Sequence, residues 1–211
     1  MNIKKLVFNL LQENTYIIYD ETKECVIIDP GCQSLSEKNV LKQFIANNGL
    51  KPKALLNTHC HFDHIFGNNF VCNEYGVELW ASEGELANIR RFRASASLFG
   101  ISEEQPYPPS HFFKNGQVIT FGNSELKVIN TPGHSPGSVC FYSEAGSFLV
   151  AGDTLFAGSI GRTDLPGGDY DEIKESLEKL IALPNETKVY CGHGPDTTTG
   201  WERLNNPFIA G

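Results

Sequence analysis

Four short segments of this chain carry side chains able to hold a metal ion, and each follows an apolar stretch. The first is Asn57-Thr58-His59-Cys60-His61-Phe62-Asp63-His64, which places four potential ligands within six residues. The second is Thr131-Pro132-Gly133-His134-Ser135-Pro136-Gly137 and the third is Ala151-Gly152-Asp153-Thr154. The fourth is Tyr190-Cys191-Gly192-His193-Gly194-Pro195. Imidazole nitrogen with carboxylate oxygen suits Zn²⁺, Fe or Mn, and the lack of paired thiolates argues against a cysteine-type structural zinc site. An extended backbone around Cys60 would send His59 and His61 the same way. Asp63 and His64 would then lie at the turn into a helix, where they can face a second metal. One histidine beside an apolar strand is usually an ordinary core or surface residue. Four clustered donors plus three more in Gly- and Pro-rich strand-end loops are hard to explain by packing, because such loops are where a scaffold presents chemistry.

The elements that must position these groups read as mixed α and β. Short β-rich segments at 5–9, 15–19 and 25–29 open the chain. A helical stripe follows at 36–48, with Ser36 as its N-cap and Gly49 as its stop. Ala54-Leu55-Leu56-Asn57 reads as a buried strand running straight into the histidine cluster. A helix is expected near Ile65, a strand at 78–80 and a second helix at 82–93. The stretch 94–110 holds three prolines and reads as a loop or a short helical insertion. Strands are expected at 117–121 and 125–130 about a Gly122-Asn123 turn, then at 139–142 and 148–151. A well-patterned helix at 170–183, a strand at 188–190 and a short helix at 199–204 complete the chain. Hairpins mixed with strand–helix alternation suggest two sheets with helices on their outer faces.

Composition narrows the partners. At 211 residues, with 40% apolar and 20% charged, the chain is expected to form one globular domain over 1–211. A formal charge of −8 argues against nucleic acid, whose phosphates need clustered Lys and Arg. The apolar runs are far too short to cross a bilayer, and no export signal is evident. A cytoplasmic protein without membrane association is therefore expected. The six cysteines form no C-x-x-C pair and read as reduced thiols. Nothing in the sequence signals an oligomeric state.

The string Thr58-His59-Cys60-His61-Phe62-Asp63-His64 resembles the T-H-x-H-x-D-H motif of the metallo-β-lactamase superfamily. His134, Asp153 and His193 match the order of its remaining ligands. The resemblance implies an α/β fold, a four-layer αββα sandwich, with a binuclear site. By position it implies His59, His61 and His134 on one metal, Asp63, His64 and His193 on the second, and Asp153 bridging. Two divalent cations, Zn²⁺ first with Fe or Mn as alternatives, would lower the pKa of a shared water far below its bulk value, to about neutrality. The resulting hydroxide attacks a carbonyl carbon, with Asp63 orienting it as the catalytic carboxylate. A thiolate leaving group needs little protonation, so a thioester suits a site with no separate general acid.

Within the superfamily the chain is most similar to glyoxalase II, which implies an acylated thiol such as S-lactoylglutathione as the small-molecule substrate. Asp153 stands where many true β-lactamases use cysteine, so antibiotic hydrolysis is not expected. The loop Gly158-Ser159-Ile160-Gly161-Arg162-Thr163-Asp164 resembles one in glyoxalase II-like hydrolases and persulfide dioxygenases. A mononuclear iron persulfide dioxygenase is therefore the alternative reading, with a phosphodiesterase or a non-catalytic metal-binding protein behind it. Arg162 either holds a substrate carboxylate or pairs with Asp164, and the pairing is favoured. Asp164 is also a candidate acceptor for a ligand imidazole. Glyoxalase II has a C-terminal helical domain that grips glutathione, whereas only 18 residues follow His193 here. The arginine-bearing stretch from Ile89 to Ser110 is a candidate substitute lid, set against the simpler reading of a solvated helix face. His111 is expected at the surface or in a loop, and Cys60 and Cys191 as small buried residues.

Overall fold

Branched and aromatic residues are frequent in the strands at 13–19 and 24–28, and both faces of these strands are removed from solvent. In the computed structural model, which describes residues 1–209, strands β1 (Asn2–Phe8), β2 (Glu13–Tyr19) and β3 (Glu24–Ile28) form an antiparallel meander. β4 (Lys51–Leu56), β5 (Glu78–Ala81) and the short β6 (His111–Phe112) then add parallel to β3, giving a six-stranded sheet in sequence order. On one face Ile17, Cys25, Ile27 and Leu55 pack with Leu41 and Ile45 of α1 (Leu35–Asn47) and Val71 of α2 (Asn68–Tyr75). This period-2 pattern meeting a period-3.6 stripe is what seats a helix on a sheet.

The described residues form two compact units, the first comprising 1–113 with 120–125 and the second 114–119 with 126–209. In the second unit β7 (Val118–Phe121), β8 (Ser124–Asn130), β9 (Val139–Ser143), β10 (Phe148–Gly152), β13 (Lys188–Cys191) and β14 (Thr197–Thr198) make another six-stranded sheet. A separate two-stranded ribbon joins β11 (Leu155–Phe156) to β12 (Ser159–Ile160). Helix α4 (Tyr170–Ile181) is capped by Asp169, which accepts from the Asp171 and Glu172 N–H groups. Its Ile173, Leu177 and Leu180 recur at i, i+4 and i+7 and pack on Cys140, Leu149, Ala151 and Val189. The terminal helix α5 spans Thr199–Asn205. The fold is thus mixed α/β with two main sheets flanked by helices, as expected.

Strand direction decides where the chemistry lies. β8 and β10 are each antiparallel to β9, and β13 is parallel to β10, so β8, β10 and β13 all end on one edge of their sheet. His134, Asp153 and His193 follow those three ends. In the first unit β3 and β4 are parallel, so Asp29 and the 57–64 segment also leave one common edge.

Several sequence expectations shift by a few residues. Helix α1 is capped by Ser34, not Ser36, because Ser34 completes a capping box with Glu37. The helix expected near Ile65 is a 3₁₀ turn over Phe62–His64, and α2 starts only after Gly67. The second helix is α3 (Leu86–Ser97), entered through a 3₁₀ turn over Glu83–Glu85, and it runs past the expected end at 93. His111 is not in a loop. It lies in β6, stacked on Trp80 at 4.2 Å, with Nε2 2.6 Å from Glu78 Oε2. No helix among the described residues is long and apolar enough to cross a membrane, and all six cysteines are free thiols.

The Gly122-Asn123 turn forms as expected, with Gly122 at φ +54°. Asp20 receives the Asn123 N–H at 2.7 Å, the Ser124 hydroxyl at 2.8 Å and the Thr22 N–H at 2.9 Å. Asp20→Ala is expected to cost about 1–2 kcal/mol. Thermal denaturation should then show a melting temperature lower by about 3–6 °C.

Candidate metal centre

The first unit gathers four of the expected ligands around the 3₁₀ turn. His59 and His61 have ring centroids 4.8 Å apart, and His59 and His64 are 4.1 Å apart. His64 Nε2 lies 3.7 Å from Asp63 Oδ2. His59, Asp63 and His64 are buried, and His61 is half-buried.

Supporting contacts aim these rings, and most come from residues far away in sequence. Asp29 sits just past β3 in a left-handed conformation (φ +48°) that non-glycine residues rarely adopt. Its Oδ1 accepts the Thr58 N–H at 2.7 Å and the Asn57 side-chain amide at 3.3 Å. Its Oδ2 accepts the Thr58 hydroxyl and lies 3.2 Å from His64 Nδ1. That bond leaves His64 Nε2 directed toward Asp63. Thr58 Oγ1 is likewise 3.1 Å from His59 Nδ1. Glu85, fully buried, accepts the Cys60 N–H at 2.8 Å and so holds the backbone between His59 and His61. Asn9 donates to the Asp63 carbonyl at 3.0 Å.

Glu13 is also fully buried and takes the Thr15 hydroxyl and Gly31 N–H on Oε2. Burial pushes its carboxyl well above the usual range, opposed by the neighbouring His64. Gly31 is glycine for steric reasons. A Cβ there would run into Glu13 Oε2 and lie 2.7 Å from the Asp63 carbonyl. Asp29, Glu13 and Glu85 were missed by motif reading. Only Asp29 left a signal, an acid followed by Pro30-Gly31 at the end of an apolar strand.

The second unit assembles the other three. His134 Nε2 and His193 Nε2 each lie 3.6 Å from the same oxygen, Asp153 Oδ2. His134 Nδ1 donates to the Arg162 carbonyl at 2.8 Å, which fixes its tautomer and turns Nε2 toward Asp153. Gly152 (φ +50°) turns the chain at the end of β10, and the Gly192 N–H bonds to the Gly152 carbonyl at 2.7 Å. A Cβ on Gly161 would strike the Asp153 carbonyl and meet the His134 ring at 3.0 Å, so only glycine fits. The Arg162 side chain turns outward and makes a bidentate pair with Asp164, both bonds 2.7 Å and both residues exposed. The acceptor expected of Asp164 for a ligand imidazole is supplied instead by the Arg162 backbone.

The donor set fits divalent cations. Ligands of a tetrahedral ion with bonds near 2.1 Å stand about 3.4 Å apart, and the 3.6 Å spacings about Asp153 Oδ2 match that better than a hydrogen bond. One carboxylate oxygen 3.6 Å from each of two imidazole nitrogens stands at a spacing that ligands of a metal ion have. Arg90, Arg91 and Arg93 are exposed on α3, in line with a solvated helix face.

A mixed α/β fold with two main sheets, carrying imidazole and carboxylate clusters at strand ends, defines a metal-binding hydrolase-like protein. The metallo-beta-lactamase superfamily model matches residues 8–193, and the chain belongs to that superfamily. A Haemophilus influenzae protein described as hydroxyacylglutathione hydrolase GloC is 34% identical over 212 residues, spanning 99% of this chain and 98% of its own. The crystal structure of BLEG-1 B3 metallo-beta-lactamase is 36% identical with a TM-score of 0.89, covering 100% of both chains. That of TTHA1623 in a di-iron-bound form is 36% identical with a TM-score of 0.88, covering 98% and 100%.

Proposed function

We propose that the two ligand clusters complete one binuclear centre and that the chain is a thioester hydrolase acting on acylated thiols of the S-lactoylglutathione type. In this reading His59, His61 and His134 hold one divalent ion, Asp63, His64 and His193 hold the other, and Asp153 bridges them. The observation that carries it is Asp153 Oδ2 standing equidistant from His134 Nε2 and His193 Nε2. The likeness to a protein described as a hydroxyacylglutathione hydrolase supports the substrate class. Metals bound there would supply Lewis acidity and a water acidic enough to ionise near neutral pH.

The chain's own residues set the geometry. Asp29 and the Arg162 carbonyl keep His64 and His134 in the tautomers that present Nε2. Asp63, whose backbone carbonyl accepts from the Asn9 side chain, would both ligate the second ion and orient the attacking water. A small acylated thiol fits the acidic surface better than RNA does, because the chain carries 25 acidic and 17 basic residues.

Zinc-loaded protein is expected to cleave S-lactoylglutathione, with Asp63→Ala slower by about 100-fold or more. The assay follows thiol release, beside elemental analysis of the protein as isolated. Cleavage of no acyl-thiol by either protein would end this reading. The mononuclear iron persulfide dioxygenase stays in the test as the alternative. Oxygen uptake on glutathione persulfide would favour it, and nitrocefin turnover would favour the activity for which BLEG-1 is named.

A further inference from the structure

The segment after the second helix carries an apolar tip beside the ligand turn. Phe62, between the ligands His61 and Asp63, is half-buried, and its ring stacks on Phe99 at 5.0 Å. Phe62 meets Phe66 at 5.6 Å, and Phe66 meets Phe92 of α3 at 5.8 Å, so a row of aromatic rings runs from the packed helix to the surface. At its open end Phe99 is 49% and Leu98 84% exposed. The tip is held in place. Helix α3 ends with Gly100 at φ +71°, the Gln105 side chain donates to the Ile89 carbonyl, and Asn69 bonds to both Gln105 and Tyr107. An anchored loop gains nothing in folding from leaving Leu98 and Phe99 in water. Exposed apolar groups beside a reactive site mark a ligand surface.

Resting on the thioester reading above, we propose that Phe99 and Leu98, backed by Phe62, form the wall that receives the acyl group of the substrate and select for apolar acyl chains. Phe62 stands between two of the proposed ligands in the 3₁₀ turn, which puts the row of rings beside the segment that would hold the metals. The wall offers side chains without hydrogen-bonding groups. It therefore suits a hydrocarbon acyl group and not the polar, doubly carboxylated body of a glutathione carrier. Phe99 determines specificity; it takes no part in the bond-breaking step.

The test uses metal-loaded protein and two ladders. One is binding of S-methyl-, S-butyl- and S-hexylglutathione by calorimetry, where an uncleavable alkyl group stands for the acyl chain. The other is hydrolysis of acetyl-, butyryl- and hexanoylglutathione. Each covered methylene should tighten binding about 2- to 4-fold. Phe99→Ala should cut the hexyl-to-methyl preference by about 10-fold with the metal content of the wild type, and Phe99→Leu should restore most of it. No chain-length preference in the wild type, or the same preference in Phe99→Ala, overturns the proposal. An alkyl ladder that flattens in Phe99→Ala without any thioester cleavage would keep the wall and reject the thioesterase.

Discussion

Replacing Asp153 by alanine should leave a folded protein that binds less than half the metal of the wild type and has lost hydrolysis by about 100-fold or more, since even a contact supporting a ligand is worth 10- to 100-fold. The argument starts from the strand. β10 delivers Asp153 past Gly152, whose turn ends the regular pairing with β13. One oxygen there faces two imidazoles at 3.6 Å. Removing the carboxylate takes away the anion that makes two nearby cations tolerable, so their mutual repulsion is no longer offset. Asp153→Asn keeps the shape and loses the charge, which separates the two effects. Asn should retain stability within about 1 kcal/mol yet still lose the second ion. Elemental analysis and zinc titration read this directly. Two ions retained in Asp153→Ala would show that the carboxylate does not bridge.

The seven candidate metal-binding residues stand out in the sequence because metal sites use few residue types and because Gly- and Pro-rich strand ends contrast with apolar strands. The strands and helices were legible from period 2 and period 3.6, and α4 falls where its Ile173, Leu177, Leu180 stripe places it. What escaped was non-local. Asp29 lies 35 residues from the His64 that it orients, and nothing in local spacing joins them. The partner of His134 is a backbone carbonyl, and carbonyls are identical at every position, so no side-chain pattern could single out residue 162. The start of α1 was misread by two residues because Ser34 and Ser36 are equal as caps until Glu37 is counted three positions on from Ser34. The helix expected from near Ile65 starts at Asn68, just past Gly67, where a Cβ would meet Cys32 Sγ at 2.5 Å and the Pro30 carbonyl at 2.6 Å.

Asp29 separates folding from metal binding, and two substitutions there should behave differently. Its carboxylate is 2% exposed and accepts from the Thr58 N–H, the Thr58 hydroxyl and Asn57, while facing His64 Nδ1. Alanine would strand those groups away from water and occupy a left-handed backbone position without a side chain that favours it, for a loss of about 3–5 kcal/mol. Asparagine tolerates the left-handed conformation and keeps an oxygen for the Thr58 N–H. Its amide nitrogen at the Oδ2 position can only donate, so the Thr58 hydroxyl and the His64 Nδ1–H both lose their acceptor. The imidazole is then free to rotate or change tautomer. Asp29→Asn should accordingly melt within a few degrees of the wild type but bind zinc about 10- to 100-fold more weakly, with chemical shifts of the His64 ring moving in the zinc-loaded protein. Asp29→Ala should lose both stability and metal. Equal zinc affinity in Asp29→Asn and wild type would mean that His64 is aimed by packing alone, since Thr58 and His59 would still be held as they are.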